Sequence, residues 1–484
     1  MKTPALLLAL CGCDSLFGLD HVPPAADAAP PVIDSAARTV SCVYSETIAS
    51  VAADGTPRLV MQPPPLNFAH AAIGDMQIPI AADGTFQFMA RSGQPYELLV
   101  QSGGETAYFD RGADTCHLVA YFNHRPGALP VTSTTPLRFD ITGMPQANTV
   151  VRITSTGQRT FLAPVFSGTN SWSLDWASAL DLDGSPAGLI DASAGDRLYW
   201  VAMPISTDYY AITQAAQASV TMTNGSATIV AATPAALPLR CVHVQSGEGT
   251  LATMMQAMAP RGPGTPQSSW AITSISSPAA GIHESQPLAL TTRPDVADHN
   301  VTVSYGNPYP GESDAFQVGV ALAYKLSLGT GAATTIYSSV STYDLIHTDA
   351  SCSTTVTPQL PPVAFPMAPS LAGVALAADN QSFALDRSQP VPVHVSIDES
   401  TELIAFLDEV TVEAGLTKVG PVATFFPLGG DFAIDPSLLA VGHTYLFVLQ
   451  ARRGFPNALQ FDYGTIAYPM AYAAFPTTSF TITR

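Results

Sequence analysis

Residues Asp83–Val100 read DGTFQFMARSGQPYELLV. Gly93 opens a turn, Tyr96 follows three positions later, and an alternating run, YELLVQS, begins there. The pattern occurs twice more. Gly195-Asp-Arg-Leu198 leads into LYWVAM, and Gly442-His-Thr-Tyr445 leads into YLFVLQA. Phe86, Ile190 and Ile434 lie upstream at comparable places. A glycine turn followed by period-two alternation marks the start of a strand that buries one face.

The same grammar extends over the chain from about residue 38 onward. Short runs rich in Val, Thr, Ile, Phe and Tyr are separated by Gly, Pro, Asn and Asp turns, as in Thr149–Ser155, Ala218–Met222, Val301–Tyr305 and Val391–Ile397. Ala-Asp-Gly turns recur at Ala53–Gly55 and Ala82–Gly84. Helical periodicity is confined to Leu251–Met258, with a turn or two expected within Leu403–Ala414. The expected fold is all-β: tandem antiparallel β-sandwiches of the immunoglobulin, fibronectin III or prealbumin-like kind, following a disordered Pro/Ala-rich tether.

Two local resemblances accompany that reading. Asp83–Val100 resembles the prealbumin-like repeats known as carboxypeptidase regulatory-like domains, and Asp435–Ala451 (DPSLLAVGHTYLFVLQA) resembles the end of a fibronectin type III module. The Gly-x-x-(Tyr/Leu) approach to a strand is similar to the corner of Greek-key sandwiches, where a tyrosine packs against the turn.

A chain of 484 residues has room for about three or four domains. Pro-rich punctuation near Gly127, Leu237 and Pro361 divides it into 38–126, 127–237, 238–360 and 361–484, the last fibronectin III-like. Hydrophobic residues make up 47%, ample for several cores, whereas charged residues make up only 12%. Asp and Glu number 38 against 19 Lys and Arg, so the net charge is −19. A surface this negative repels phosphate backbones, which argues against nucleic acid as a partner and against electrostatic docking on anionic lipid.

The first residues, MKTPALLLALCGCD, place Lys2 before the apolar run Ala5–Leu10, then small residues and a cysteine. That order is a secretory signal, too short to span a bilayer, which takes about 20 apolar residues. Leu10-Cys11-Gly12-Cys13 resembles the bacterial lipobox. The resemblance implies a signal peptide over 1–12 and a diacylglycerol thioether on Cys13, the membrane being reached through that anchor. Asp14 resembles the enterobacterial inner-membrane retention signal, a rule other lineages do not keep. The expected address is the cell envelope, at the outer membrane or cell surface in preference to the inner membrane. Residues 13–37 form a linker whose Asp20–Ala37 part, DHVPPAADAAPPVIDSAA, reaches about 55 Å at about 3.1 Å per residue. Lipobox, spacer and sandwiches together, with GLIDASAGD (Gly188–Asp196) and YGNPYP (Tyr305–Pro310), resemble uncharacterised surface lipoproteins of myxobacteria.

With Cys11 and Cys13 set aside, Cys42, Cys116, Cys241 and Cys352 remain. Four thiols in an exported chain suggest two disulfides with three possible connectivities. Neighbour pairing, Cys42–Cys116 and Cys241–Cys352, is the choice that closes one loop in each half. No C-x-x-C pair supports a zinc site.

Catalytic signatures are lacking: there is no G-x-S-x-G, H-E-x-x-H, Walker loop or dinucleotide fingerprint. His347, Asp349 and Ser351 invite a triad reading, but residues so close in sequence on one strand do not form the relay. His117 and His124 flank one strand on opposite faces, so a shared metal is not expected. Asp181, Asp183, Asp191 and Asp196 surround glycine turns; calcium ligation and plain turn chemistry compete there, with turn chemistry favoured. Tyr305 and Tyr309 of YGNPYP are expected to be exposed in a turn, where stacking on sugars or protein partners competes with stiffening of the loop against its own domain, the latter favoured. No cofactor or metal is expected. The role expected is structural, adhesive, or binding to an envelope protein or glycan. An accessory subunit of an envelope assembly and a hydrolase with a site assembled from distant loops remain alternatives.

Overall fold

The computed structural model describes residues 37–484 except 52–56, 63–68, 75, 93, 103–104, 112–113, 122–128, 144–148, 156–160, 163–170, 179–187, 207–208, 246–249, 260–261, 277–286, 294–299, 310–312, 329–331, 358–364, 378–379, 398–401, 457 and 459–466. The expected signal peptide, Cys13 and all of the expected tether but Ala37, which opens the first strand, therefore lie outside the described residues.

Strands dominate what is described, and they assemble into separate sheets around four main hydrophobic cores. The protein is all-β, with sheets packed as sandwiches. In the first unit, Thr85–Arg91 buries every second residue, Phe86, Phe88 and Ala90, and exposes those between. It pairs with Ala37–Val51, and Val40, Cys42 and Tyr44 face the same core as Leu98 and Val100 of Tyr96–Ser102 in the opposite sheet. The hairpin before Thr85 is an Asx turn: Asp83 Oδ1 accepts from the Thr85 N–H and hydroxyl, and Gly84 takes φ +82.

The second unit packs Pro136–Ile141, Ser171–Asp175 and Thr228–Ala232 against a sheet containing Thr149–Ser155, Leu198–Pro204 and Gln214–Ala218. Trp176 and Trp200 fill its centre. The run Ala218–Met222 does not continue as a ladder strand. After Ala218 the chain makes a single bridge, Thr221 to Asp191.

A third unit faces Leu239–Gln245 and Asn300–Gly306 against long strands Ser268–Ser276, Ser313–Leu326 and Thr334–His347. Thr250–Met258 is an α-helix whose Leu251, Met254 and Met258 enter this core; their spacing of three and four is the helical stripe. The fourth unit sets Met367–Leu371, Val391–Ser396 and Asp431–Ile434 against Glu402–Glu413, Leu416–Phe426 and Thr444–Arg453. Here the expected turn of helix within Leu403–Ala414 is corrected: Glu402–Glu413 is one continuous strand between two partners. Leu403, Ala405 and Leu407 enter the main core while Ile404 and Phe406 meet a second apolar cluster, so both faces are covered and the alternation is hidden.

Asp408 follows a register shift in that strand and is half-buried, and the desolvation pushes its carboxyl up to about 6. The folded state then holds the proton more tightly than the unfolded chain, so stability falls as pH rises from about 4 through about 6. Asp408→Asn should raise stability at pH 7 by about 2–3 kcal/mol and flatten the urea midpoint between pH 4 and 7. An unchanged pH profile would contradict this.

The glycine corners hold. Tyr445 is buried, and its hydroxyl accepts from the Ala440 N–H at 2.7 Å while Gly442 sits at φ +85. Gly195 at φ +95 precedes buried Leu198. Tyr96 is buried beneath the Arg38 guanidinium; Gly93 lies outside the described residues.

The units are not separate beads. Thr334–His347 pairs with Met470–Pro476, joining the third and fourth units, and Leu416–Phe426 pairs in parallel with Glu105–Arg111, joining the fourth and first. The result is a 15-stranded sheet among the described residues. At the second joint Tyr108 stacks on Phe425 at 5.0 Å and Phe109 on Phe426 at 4.5 Å.

Candidate functional site

Cys42 bonds to Cys116 and Cys241 to Cys352, with Cα–Cα distances of 4.4 and 4.7 Å. Three of these cysteines are buried and Cys352 is half-buried at φ +57. They are structural bonds rather than reactive thiols.

The carboxylates singled out from sequence are used locally. Asp191 caps a short 3₁₀ turn: its Oδ1 accepts from the Ser193 N–H and hydroxyl and from the Thr221 hydroxyl. Asp196, 1% exposed, accepts from the Asp191 N–H at 2.8 Å. This is turn chemistry; Asp181 and Asp183 lie outside the described residues. Asp349 Oδ1 accepts from the Ser351 N–H and hydroxyl, with no histidine between them, and those bonds lower its pKa. His117 shares a hydrogen bond with Ser45, and His124 is outside the described residues. No group of three or more metal-ligating side chains converges among the described residues.

YGNPYP requires a correction. Tyr305 and Tyr309 are 0% and 2% exposed, not displayed on a turn. The reason is Asp314, fully buried nearby. Its Oδ2 accepts from the Tyr305 hydroxyl at 2.6 Å and from Thr348 at 3.2 Å, Asn307 donates to Oδ1 at 3.0 Å, and Arg240 reaches both oxygens at 3.1 Å. Burial, then the Asp314 charge, pushes the Tyr305 phenol far up. Tyr309 packs on Tyr199 with ring centroids 4.8 Å apart. The segment is therefore a polar keystone of the third unit, and sequence alone carried no signal of it, since the Asp314 partners are scattered.

The side chains that converge around open space lie elsewhere, on the outer face of the long sheet. Register aligns Ile272, Gly319, Ser341 and Tyr472 across four strands, and beside them Ser274, Gln317 and Tyr343. Trp270, Ala321 and Ser339 form the next row. The small residues in the middle, Gly319, Ala321, Ser339 and Ser341, make a floor below taller neighbours. The cleft above it holds about 220 Å³ and is lined by Ile272, Ser274, Leu290, Gln317, Val320, Ser339, Ser341 and Tyr472. A Cβ on Gly319 would meet Ser341 Oγ at 2.3 Å and the Val340 carbonyl at 2.7 Å, so only glycine keeps the floor this low.

Its polar groups are ordered by one another. The Ser274 hydroxyl donates to Gln317 Oε1 at 2.6 Å, and Gln317 Nε2 donates to the Tyr343 hydroxyl at 2.7 Å and Ser341 Oγ at 3.3 Å. Tyr343 and Tyr472 stack with centroids 5.9 Å apart, and Trp270 meets Tyr337 edge-on at 5.5 Å. No lining residue is charged. Ser274, Gln317 and Ser341 are buried and spend most of their hydrogen-bonding capacity on one another, so the cleft presents mainly apolar and aromatic walls over an uncharged floor, a surface that receives the apolar face of a small neutral ring. Sequence reading missed it because Gln317 and Ser341 sit in ordinary alternating runs. A larger cleft, about 370 Å³, adjoins the helix at Met255, Ala259, Pro266 and Leu322, but gathers no buried polar cluster.

No family model and no curated protein matches the chain. Among solved structures, similarity extends to a leucine-rich repeat protein from Bacteroides thetaiotaomicron (13% identity, TM-score 0.14, covering 47% of this chain and 27% of that one). It extends also to the Bacillus anthracis TIE protein (7%, TM-score 0.13, covering 93% and 73%) and a streptococcal ancillary pilin (10%, TM-score 0.12, covering 67% and 99%). The chain thus spans about a quarter of the first of these. TM-scores this low carry no argument about function.

Proposed function

We propose that this is a lipid-anchored cell-envelope protein with a structural and adhesive role, holding a neutral envelope glycan in the cleft over Gly319. The observation that carries the reading is the cleft itself: an uncharged floor of small residues walled by Ile272, Leu290 and Tyr472. The volume suits a single sugar ring, being below the roughly 300 Å³ at which pockets for larger ligands begin. Two disulfides fit an oxidising compartment outside the cytosol. No helix of the described residues is long and apolar enough to cross a membrane; the lipobox resemblance at Cys13 supplies the anchor, and several acyl chains on one cysteine hold firmly at about 0.8 kcal/mol per buried CH₂.

Two measurements test this. Metabolic labelling with a clickable palmitate should mark the wild type and leave Cys13→Ala unlabelled; equal labelling removes the anchor. Titration calorimetry against a panel of neutral hexose and N-acetylhexosamine oligosaccharides should find a ligand whose affinity falls at least about tenfold in Ser339→Phe, which fills the cleft, with melting unchanged. Absence of any ligand, or equal binding by the variant, ends the glycan reading.

A further inference from the structure

Three of the four units close in the same way. An opening strand runs parallel to a closing one, which is the last strand in the first and third units and in the second is followed only by the two-residue Ala235–Ala236: Ala37–Val51 with Thr115–Tyr121, Pro136–Ile141 with Thr228–Ala232, and Leu239–Gln245 with Thr355–Val356. The fourth also ends on a parallel pair, Gln381–Phe383 with Phe480–Ile482, although there the earlier strand is not the first. The two strands of every such pair are separated in sequence by most of a unit. In the first unit Cys42 and Cys116 are themselves register partners in the parallel pair. In the third, Cys241 lies in the first strand and Cys352 just before the last, beside the Cys241–Asp349 bridge.

We propose that the chain carries a mechanical function: it bears tension along its length, and each of these three parallel pairs is a shear clamp. In a parallel pair the first strand's start and the last strand's end lie at opposite ends. Pulling on a unit through its two chain ends therefore drags the strands past each other along their length, and the hydrogen bonds of the pair strain together. Pulling the same strands apart from one end breaks those bonds one after another, at lower force. The two disulfides sit across two of the clamps, so when hydrogen bonds fail a covalent link still stops the chain inside the loop from paying out. The second unit has the clamp without a disulfide, which lets the strand geometry be tested alone. The inference goes beyond the anchor and glycan reading and requires neither.

The experiment is single-molecule force spectroscopy on the full chain. Bioorthogonal handles at Thr134 and Thr233 load the second unit in shear; handles at Thr134 and Ala227 load the same strand pair from one end. The shear geometry should rupture at no less than about twice the force of the peeling geometry at equal loading rate, because the bonds of the pair share the load in one and fail in turn in the other. Equal forces overturn the clamp. The covalent stop is read separately, with handles at Ala37 and Arg484 before and after reduction. Reduction should lengthen two unfolding events, by about 260 Å and about 390 Å, at roughly 3.5 Å per residue over sequence separations of 74 and 111. Unchanged event lengths overturn the disulfides' part in it. A handle pair that alters the fold is recognised by its melting curve. The shared handle is then moved from Thr134 to Pro136 or Leu129, where the two geometries must rank the same way.

Discussion

Arg240→Ala is expected to destabilise the third unit by about 3–5 kcal/mol, the range for removing one partner of a buried ion pair. Asp314 has no exposure, and Arg240 is the cation that reaches both its oxygens. The neutral donors, Tyr305, Asn307 and Thr348, stay in place and soften the loss without supplying charge. A double variant, Arg240→Met with Asp314→Asn, should recover part of the stability, because no buried charge is left unpaired while the amide oxygen still accepts from the Tyr305 hydroxyl. Urea unfolding of the wild type and both variants decides it. If the double variant is as unstable as the single one, the network stabilises through packing rather than through charge pairing.

Removing either disulfide should cost about 4–5 kcal/mol in the chain-entropy account. The bonds close loops with sequence separations of 74 and 111, and loop-closure entropy grows only with the logarithm of length. The Cys241→Ser, Cys352→Ser variant should therefore exceed the Cys42→Ser, Cys116→Ser variant by only about 0.4 kcal/mol from loop length. Burial adds to the first-unit variant, since Cys42 and Cys116 are 2% and 4% exposed and two serines there leave hydroxyls in an apolar core. Denaturation curves of the two double variants, each against the oxidised wild type, measure both effects. A loss below about 1 kcal/mol in either unit would show that the unfolded chain is held compact by other means.

How much of this was legible depended on the range of the interaction. Tyr445 and its glycine could be placed at a corner from a few residues of sequence, because the hydrogen bond to Ala440 is local. Asp191 as a turn residue was readable for the same reason. Glu402–Glu413 was partly misread because its two faces meet different apolar clusters, and a strand covered on both sides has no polar alternation to display. Tyr305 and Tyr309 were expected outside because Pro and Asn beside them signal a turn. The structure instead turns the Tyr305 hydroxyl inward, onto Asp314.

From sequence alone came the all-β class, the strand starts after glycine, the helical stretch over Leu251–Met258 and the expectation of two disulfides in an exported chain. Each rests on side-chain periodicity, turn chemistry within a few residues, or a count of thiols. Tertiary structure alone decided the parallel closure of units, the sheet that runs from one unit into the next, the Asp314 network and the cleft over Gly319. Those features join residues that lie far apart along the chain, and a strand's pattern states which face it buries without stating which strand it will lie beside.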